Sequence, residues 1–354
     1  MPPATASRIR HTPVAEFRIR QALAVGATVL LLAALATVPM LATDFQLFRF
    51  TNVLIYALAL VGLNLLVGYN GQISLGHGGF YAIGAYATAL LMAHGGLAHW
   101  LAVPLGGLLC LGLGFLFSLP VLRLQTMHLA MATFAFGAVL PTVAKWKAVE
   151  PWTGGTQGLA LDEPTVPFGL ALRFDQWIYL LALFVLVLCF WMTWQLLRGR
   201  VGRAVIALRD HPIAAQSMGV HAVLYKAAIF GLSAMLVGLA GGLAALSMRY
   251  VAPGMFGLFL SFGFLIGIAV GGLGALSGAL YGAVCLQFIF LVVGASASSL
   301  RTSNTPLVYG VVLIVFLCLF PNGIAGLVRS GWAALRRRWP GRSAPGQPSP
   351  GAIG

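Results

Sequence analysis

Apolar residues fall in long runs along this chain, and polar residues gather between the runs. The runs cover about 22–42, 50–67, 75–93, 100–119, 126–144, 177–197, 227–248, 256–273, 278–296 and 306–320. Each approaches the ~20 residues that a helix needs to cross a bilayer. The pattern predicts an all-α polytopic membrane protein of about ten transmembrane helices, or eight to nine if the glycine-rich runs are re-entrant. Arg8, Arg10, Arg18 and Arg20 precede the first run, and Ala34-Leu35-Ala36 imitates a signal cleavage site. A run of 22–42 is long for a signal sequence and long enough to span, which favours an uncleaved first helix.

The one long polar interruption in the second half covers 198–226. Arg198, Arg200, Arg203, Arg209 and Lys226 sit there between two apolar runs, which by the positive-inside rule places the stretch in the cytoplasm. Pro212 suits the first position of a helix and Gly219 the left-handed position after one, so a short helix is expected over Pro212 to Met218. It would show Ile213, Ala214, Ser217 and Met218 on one side. A helix of two turns is unstable alone in water and must pack on its own membrane domain or on a cytosolic partner.

Glycine breaks the apolar pattern twice. In Gly68-Tyr-Asn-Gly-Gln-Ile-Ser-Leu-Gly-His-Gly-Gly79 the glycines crowd with Asn70, Gln72, Ser74 and His77, and Gly78 and Gly79 follow directly. Paired broken segments in the two halves of a transporter mark its substrate path, whereas glycine also serves simple helix packing. Both remain open for 68–79. In the second stretch, 271–282, packing is favoured: Gly263, Gly267 and Gly271, then Gly274, Gly278 and Gly282, recur every fourth residue, as do Ala234, Gly238 and Gly242. Between the fifth and sixth runs, 145–176 holds Trp152-Thr-Gly-Gly-Thr-Gln-Gly-Leu159 among Pro151, Pro164 and Pro167. By composition it is a connector; the alternative is a lid or a docking surface for an external protein, the latter at Thr153, Gly154 and Gly155.

Composition sharpens this picture. With 60% hydrophobic and 8% charged residues, the chain is far from soluble averages. Its formal charge of +14 would suit nucleic acid, but the basic residues lie at the termini and in short loops, where orientation in an anionic lipid membrane explains them and no nucleic acid is needed. With the N-terminus inside and ten spans, the cytoplasmic side takes the tail arginines, Arg123, the five cations of 198–226, and Arg329, Arg336, Arg337, Arg338 and Arg342. Arg49, Lys145, Lys147, Arg173, Arg249 and Arg301 fall outside. Asp44, Glu150, Asp162, Glu163 and Asp175 fall outside as well, with Glu16 and Asp210 inside. Three parts follow: a cytoplasmic basic tail over 1–21, a transmembrane domain over 22–328, and a basic then disordered tail over 329–354, with both termini cytoplasmic.

No carboxylate is left in a span, which weakens proton or sodium coupling, since such carriers usually hold their ion on an intramembrane ionisable group. Only His77 and His128 could serve. The cysteines Cys110, Cys189, Cys285 and Cys318 all lie in apolar runs without metal-like spacing and read as packing residues, so no metal or other cofactor is expected. No lysine follows a glycine, so a phosphate-binding Gly-Lys-Ser/Thr loop is absent, and no hydrolase signature occurs. An enzyme is not indicated; if nucleotide powers the protein, another subunit binds it.

Taken together, the motifs carry a family resemblance. Leu63 to Tyr86 with its glycine-dense centre, Thr153-Gly-Gly-Thr-Gln-Gly-Leu159, the Gly202-Arg-Ala-Val-Ile-Ala-Leu-Arg-Asp-His-Pro-Ile-Ala-Ala-Gln-Ser-Met-Gly219 loop, Gly271-Gly-Leu-Gly274 and Phe320-Pro-Asn-Gly-Ile-Ala-Gly-Leu327 resemble, in order, the LivM-type permease of bacterial branched-chain amino acid ABC importers. The resemblance implies an inner-membrane subunit working with a second, LivH-type permease, two ABC ATPase subunits and a periplasmic substrate-binding protein. It further implies ATPase docking through Arg209, Asp210, Pro212, Ala214, Ala215 and Gly219, of which Ala214, Ala215 and Gly219 match the Ala-Ala-x-x-x-Gly core of the docking loop. Ile213 stands where many ABC permeases have glutamate. Leu122-Arg-Leu-Gln-Thr-Met-His-Leu-Ala130 departs from the family run at Gln125 and His128. Importers of this type also handle urea, short amides and aromatic compounds. An ion-coupled carrier, a passive channel and a non-transporting scaffold are the other classes open to such a sequence.

Overall fold

The computed structural model describes residues 33–122, 126–163, 166–167, 172–300, 310 and 323–326. Among the described residues the chain is an all-α membrane protein apart from one pair of two-residue strands. A first helical piece, α1 (33–41), leads into α2 (Asp44–Asn64), α3 (His77–Ala93), α4 (His99–Val121), α5 (Thr126–Val143) and the single turn α6 (Glu150–Thr153). After β1 (Leu159–Ala160) come α7 (Phe174–Arg198), α8 (Arg200–Asp210), α9 (Pro212–Ser217) and α10 (Ala222–Met248). Then follow β2 (Tyr250–Val251), α11 (Leu258–Gly271) and α12 (Leu276–Leu300). β1 and β2 pair antiparallel, Leu159 opposite Val251.

Among the described residues four helices are long and apolar enough to cross a membrane: α2 with its extension to Tyr69, α4, α7 and α10. A fifth span is reached if α11 and α12 count as one broken unit. The run at 75–93 yields a helix of only 17 residues, because the chain is non-helical from Asn70 to Gly76. The runs at 256–273 and 278–296 become α11 and α12, which meet at a bend of 119° across Gly272 to Ala275. Most of the 22–42 run and all of 306–320 except Gly310 lie outside the described residues, as do Arg123 and Gln125.

Burial separates the spans. In α10, 89% of the apolar window lies inside the bundle, in α2 72%, but in α7 only 28%, so α10 and α2 are the axis and α7 leaves most of its surface outside the bundle. Lipid tails are as apolar as leucine, so helices associate here by close packing rather than by escape from water. Small residues make that possible. The Ala234, Gly238 and Gly242 face of α10 receives Gly114 and Cys110 of α4 and Thr88 of α3, and a methyl group on Gly84 would run into the carbonyl of Gly238. The Gly267 and Gly271 face of α11 meets Gly282 and Gly278 of α12 in the same way, as their spacing suggests.

The two ends of the bundle differ in charge. At the end where α7 begins and α10 stops, Arg173 pairs with Asp44 and Arg249 with Glu163 and Asp175. At the other end, where α7 stops and α10 begins, the ion pair among the described residues is Arg209 with Asp210. α1 belongs to the bundle: Tyr179 Oη donates to Leu35 O at 3.0 Å and Gln176 Nε2 to Pro39 O at 2.9 Å.

Candidate functional site

The first glycine break begins where α2 widens into a π-helical turn, Leu65–Tyr69. Gly71 then takes φ +71°, a conformation that suits glycine, and the chain runs back towards the middle of the bundle to start α3 at His77. The second break uses Gly272 at φ +115° and Gly274 at φ +72°. These two segments, about two hundred residues apart, meet at one point. Asn64 Nδ2 donates to Ala275 O at 2.7 Å, and Gly274 N donates to Asn64 Oδ1 at 3.0 Å. The contact needs glycine, since a Cβ on Gly68 would lie 2.6 Å from Gly274 N.

Within the first break the expected path residues divide into two kinds. Ser74 and His77 are fully enclosed and fully bonded. Ser233 Oγ donates to Gly62 O at 2.7 Å, so it must accept from His77 Nε2 at 2.9 Å, which leaves Nδ1 to accept from Ser74 Oγ at 2.7 Å. His77 is therefore the neutral Nε2–H tautomer and pins the start of α3 to α10. Thr133 and Ser261 anchor the neighbouring backbone: Leu75 N donates to Thr133 Oγ1 at 3.1 Å and Gly78 N to Ser261 Oγ at 3.0 Å. Gly78 lies against α11 and Gly79 against Leu140 and Gly137 of α5. Asn70 and Gln72 are different. Both are buried, at 2% and 4% exposure, and neither side-chain amide has a hydrogen-bond partner within the described chain. Buried polar groups are nearly always satisfied, so two neighbouring orphaned amides mark a place built for an outside partner or for another conformation. His128, the other intramembrane candidate, is exposed.

The 198–226 interruption is a two-helix element rather than a loop. α8 was hidden by its arginines, although Gly202, Val205 and Leu208, three residues apart, form its buried face. Pro212 opens α9 and Gly219, at φ +85°, follows its end, as expected from sequence. Ile213, Ala214, Ser217 and Met218 are exposed, but Ala215 is buried against its own chain at 7% exposure. The face available to a partner is therefore the Ile213 and Met218 side, and Ala215 seats the helix on the permease. Arg209 is exposed but also reaches inward: its Nη1 donates to Gly68 O at 2.7 Å, while Nε bonds Asp210 Oδ1 at 2.8 Å. That hydrogen bond holds the Asp210 carboxyl below its ordinary value against the opposing effect of desolvation, with the charges of Arg209 and His211 adding smaller contributions in the same direction as the hydrogen bond.

At the opposite end, Thr153 is buried and structural, donating to Ala144 O at 2.7 Å and receiving Gly155 N at 3.3 Å. Gly154, Gly155 and Gly158 all have positive φ, and Tyr250 Oη donates to Gln157 O, so this turn is a fixed platform tied to β2. Trp152 and Trp146 project from it, 57% and 65% exposed. A cleft of about 440 Å³ opens nearby, lined by His99, Trp100, Asp162 and Glu163 among others, and it is remote from Asn70 and Gln72.

Asn64, Ser233, Ser261 and Thr133 are site residues that sequence reasoning passed over. Their signal was present, since each is a polar side chain with apolar or small neighbours on both sides within an apolar run, where such residues are expensive and need partners.

The family described as branched-chain amino acid transport system, permease component, matches residues 47–317, which include both breaks and the α8–α9 element. The high-affinity branched-chain amino acid transport system permease protein LivM of Escherichia coli (strain K12) is 34% identical over 304 residues, 79% of this chain and 69% of that protein. LivM of Salmonella typhimurium (strain LT2) is similar to the same extent. No solved structure is a significant match. The chain belongs to the permease-component family of branched-chain amino acid transport systems.

Proposed function

We propose that this permease forms the translocation path of an ATP-driven importer for branched-chain amino acids in the bacterial inner membrane. A LivH-type permease would share the path, one of two ABC ATPases would dock on the α9 face around Pro212, Ala214 and Gly219, and a periplasmic binding protein would deliver substrate to the exposed side of the platform that Thr153, Gly154 and Gly155 shape. Ten spans with both termini cytoplasmic fit the charge distribution: the end with Arg173, Arg249 and their carboxylates is external and the end with α8 and α9 internal.

The observation that carries the path is the orphaned pair Asn70 and Gln72 beside the meeting point of the two breaks. Two neutral amides, with the carboxylates of α2 and α7 confined to the outer ends of those helices at Asp44 and Asp175, suit a solute whose net charge is zero, as that of a leucine-type zwitterion is. Hydrogen-bonding amides would also accept urea or a short amide, which keeps those substrates as the second possibility. Reconstitution of the complete transporter in proteoliposomes tests the proposal. ATP-dependent uptake of leucine, isoleucine or valine is expected, and uptake confined to urea or amides would move the substrate class.

A further inference from the structure

Arg209 occupies an unusual position between the docking element and the path. It lies in the last turn of α8, three residues before α9 opens, so a displacement of α9 moves it directly. Its stem covers Gly71, where a Cβ would come within 2.8 Å of Arg209 Cγ, and Asn70 and Gln72 flank that glycine. Its guanidinium holds the carbonyl of Gly68 at 2.7 Å, and Nη1 lies 3.9 Å from the Cβ position of Gly274. One side chain thus touches the first break, approaches the second and covers the segment carrying the orphaned amides. Asp210 on the other side fixes the fork at 2.8 Å. A cation on an unpaired carbonyl at the end of α2 is also favoured by the helix dipole.

We infer that Arg209 is the transmission residue of the permease: motion of the docked α9 withdraws its guanidinium from Gly68, the 68–72 and 272–275 segments part, and Asn70 and Gln72 turn into the path. This rests on α9 being the ATPase-docking element and assigns Arg209 to coupling instead of docking. Removing the donor leaves the ATPase interface intact and disconnects it from the gate.

The test uses the complete transporter in proteoliposomes with Arg209→Ala, Arg209→Met and Arg209→Lys. Arg209→Met keeps an apolar stem over Gly71 and removes only the donors, which guards against simple misfolding. In the alanine and methionine variants the ATPases should co-purify at the wild-type ratio and ATP hydrolysis should persist, while substrate taken up per ATP falls about tenfold or more, the effect of losing one charge-assisted hydrogen bond. Arg209→Lys, with a single ammonium able to reach Gly68, should retain more coupling than either. Unchanged uptake per ATP in both Arg209→Ala and Arg209→Met overturns the inference. So does release of the ATPases by Arg209→Met, which would make Arg209 a docking contact. Failure of the wild-type chain to retain ATPases would remove the docking element itself and with it the transmission path, whereas a wild-type complex that hydrolyses ATP but imports a different solute changes only the substrate, and uptake per ATP of that solute then decides the role of Arg209.

Discussion

Asn64 Nδ2 sits 2.7 Å from the carbonyl oxygen of Ala275, a contact closed across 211 residues of sequence. Its other amide atom accepts from Gly274 N, so one side chain satisfies two backbone groups that the α11–α12 turn leaves free. Asn64→Leu keeps the bulk and orphans both groups, which should destabilise the permease by about 3 kcal/mol. Thermal unfolding in detergent, compared with the parent, checks it.

Glycine contacts give a paired prediction. Gly84→Ala drives a methyl group into the backbone of Gly238, where nothing flexible can yield, and should cost about 3 kcal/mol or prevent assembly of α3 on α10. Gly112 faces away from the bundle with nothing within 4 Å of its Cβ position. Gly112→Ala should therefore be neutral or stabilising by about 0.5–1 kcal/mol. Yield of monodisperse protein and melting temperature distinguish the two.

Much of this arrangement was legible in the sequence, and the illegible part has a common cause. α2, α4, α7 and α10 follow from apolar run length alone, and α9 follows from Pro212 and Gly219, because local punctuation fixes local structure. The glycines at 68–79 do mark a break. What could not be seen is what the break touches. Arg209 reads as nothing more than a surface cation until Gly68, 141 residues away, is placed beside its guanidinium, and Ala215 reads as part of the docking face until it is found buried. α8 was missed because its arginines outweigh the three-residue spacing of Gly202, Val205 and Leu208.

The seating of α9 changes which substitutions should release the ATPases. Met218→Asp or Ile213→Asp places charge on the exposed face, at residues 86% and 84% exposed, and should lower ATPase co-purification while leaving the melting temperature of the permease unchanged. Ala215→Asp should instead destabilise the permease, since its side chain is buried. At Gly219 only the backbone matters: valine at φ +85° is strained by about 1–2 kcal/mol or more, and asparagine is tolerated better. ATPase retention should follow the order glycine, asparagine, valine.

Orientation has a direct readout. Thr156 is exposed on the platform and Ser217 is exposed on α9. In a cysteine-free background, Thr156→Cys should react with a membrane-impermeant thiol reagent in spheroplasts, and Ser217→Cys should react only after the membrane is opened. Labelling of Ser217→Cys from outside would invert the topology.

The central claim is that solute passes along the break that holds Asn70 and Gln72. Gln72→Cys, in a background with Cys110, Cys189, Cys285 and Cys318 replaced, places a thiol at a position only 4% exposed in this conformation. Its alkylation rate in the reconstituted transporter should be low at rest, rise on addition of ATP with loaded binding protein, and fall again when excess leucine is present on the side of exit. A thiol that stays inert throughout turnover, or one that reacts equally with and without ATP, would contradict the account.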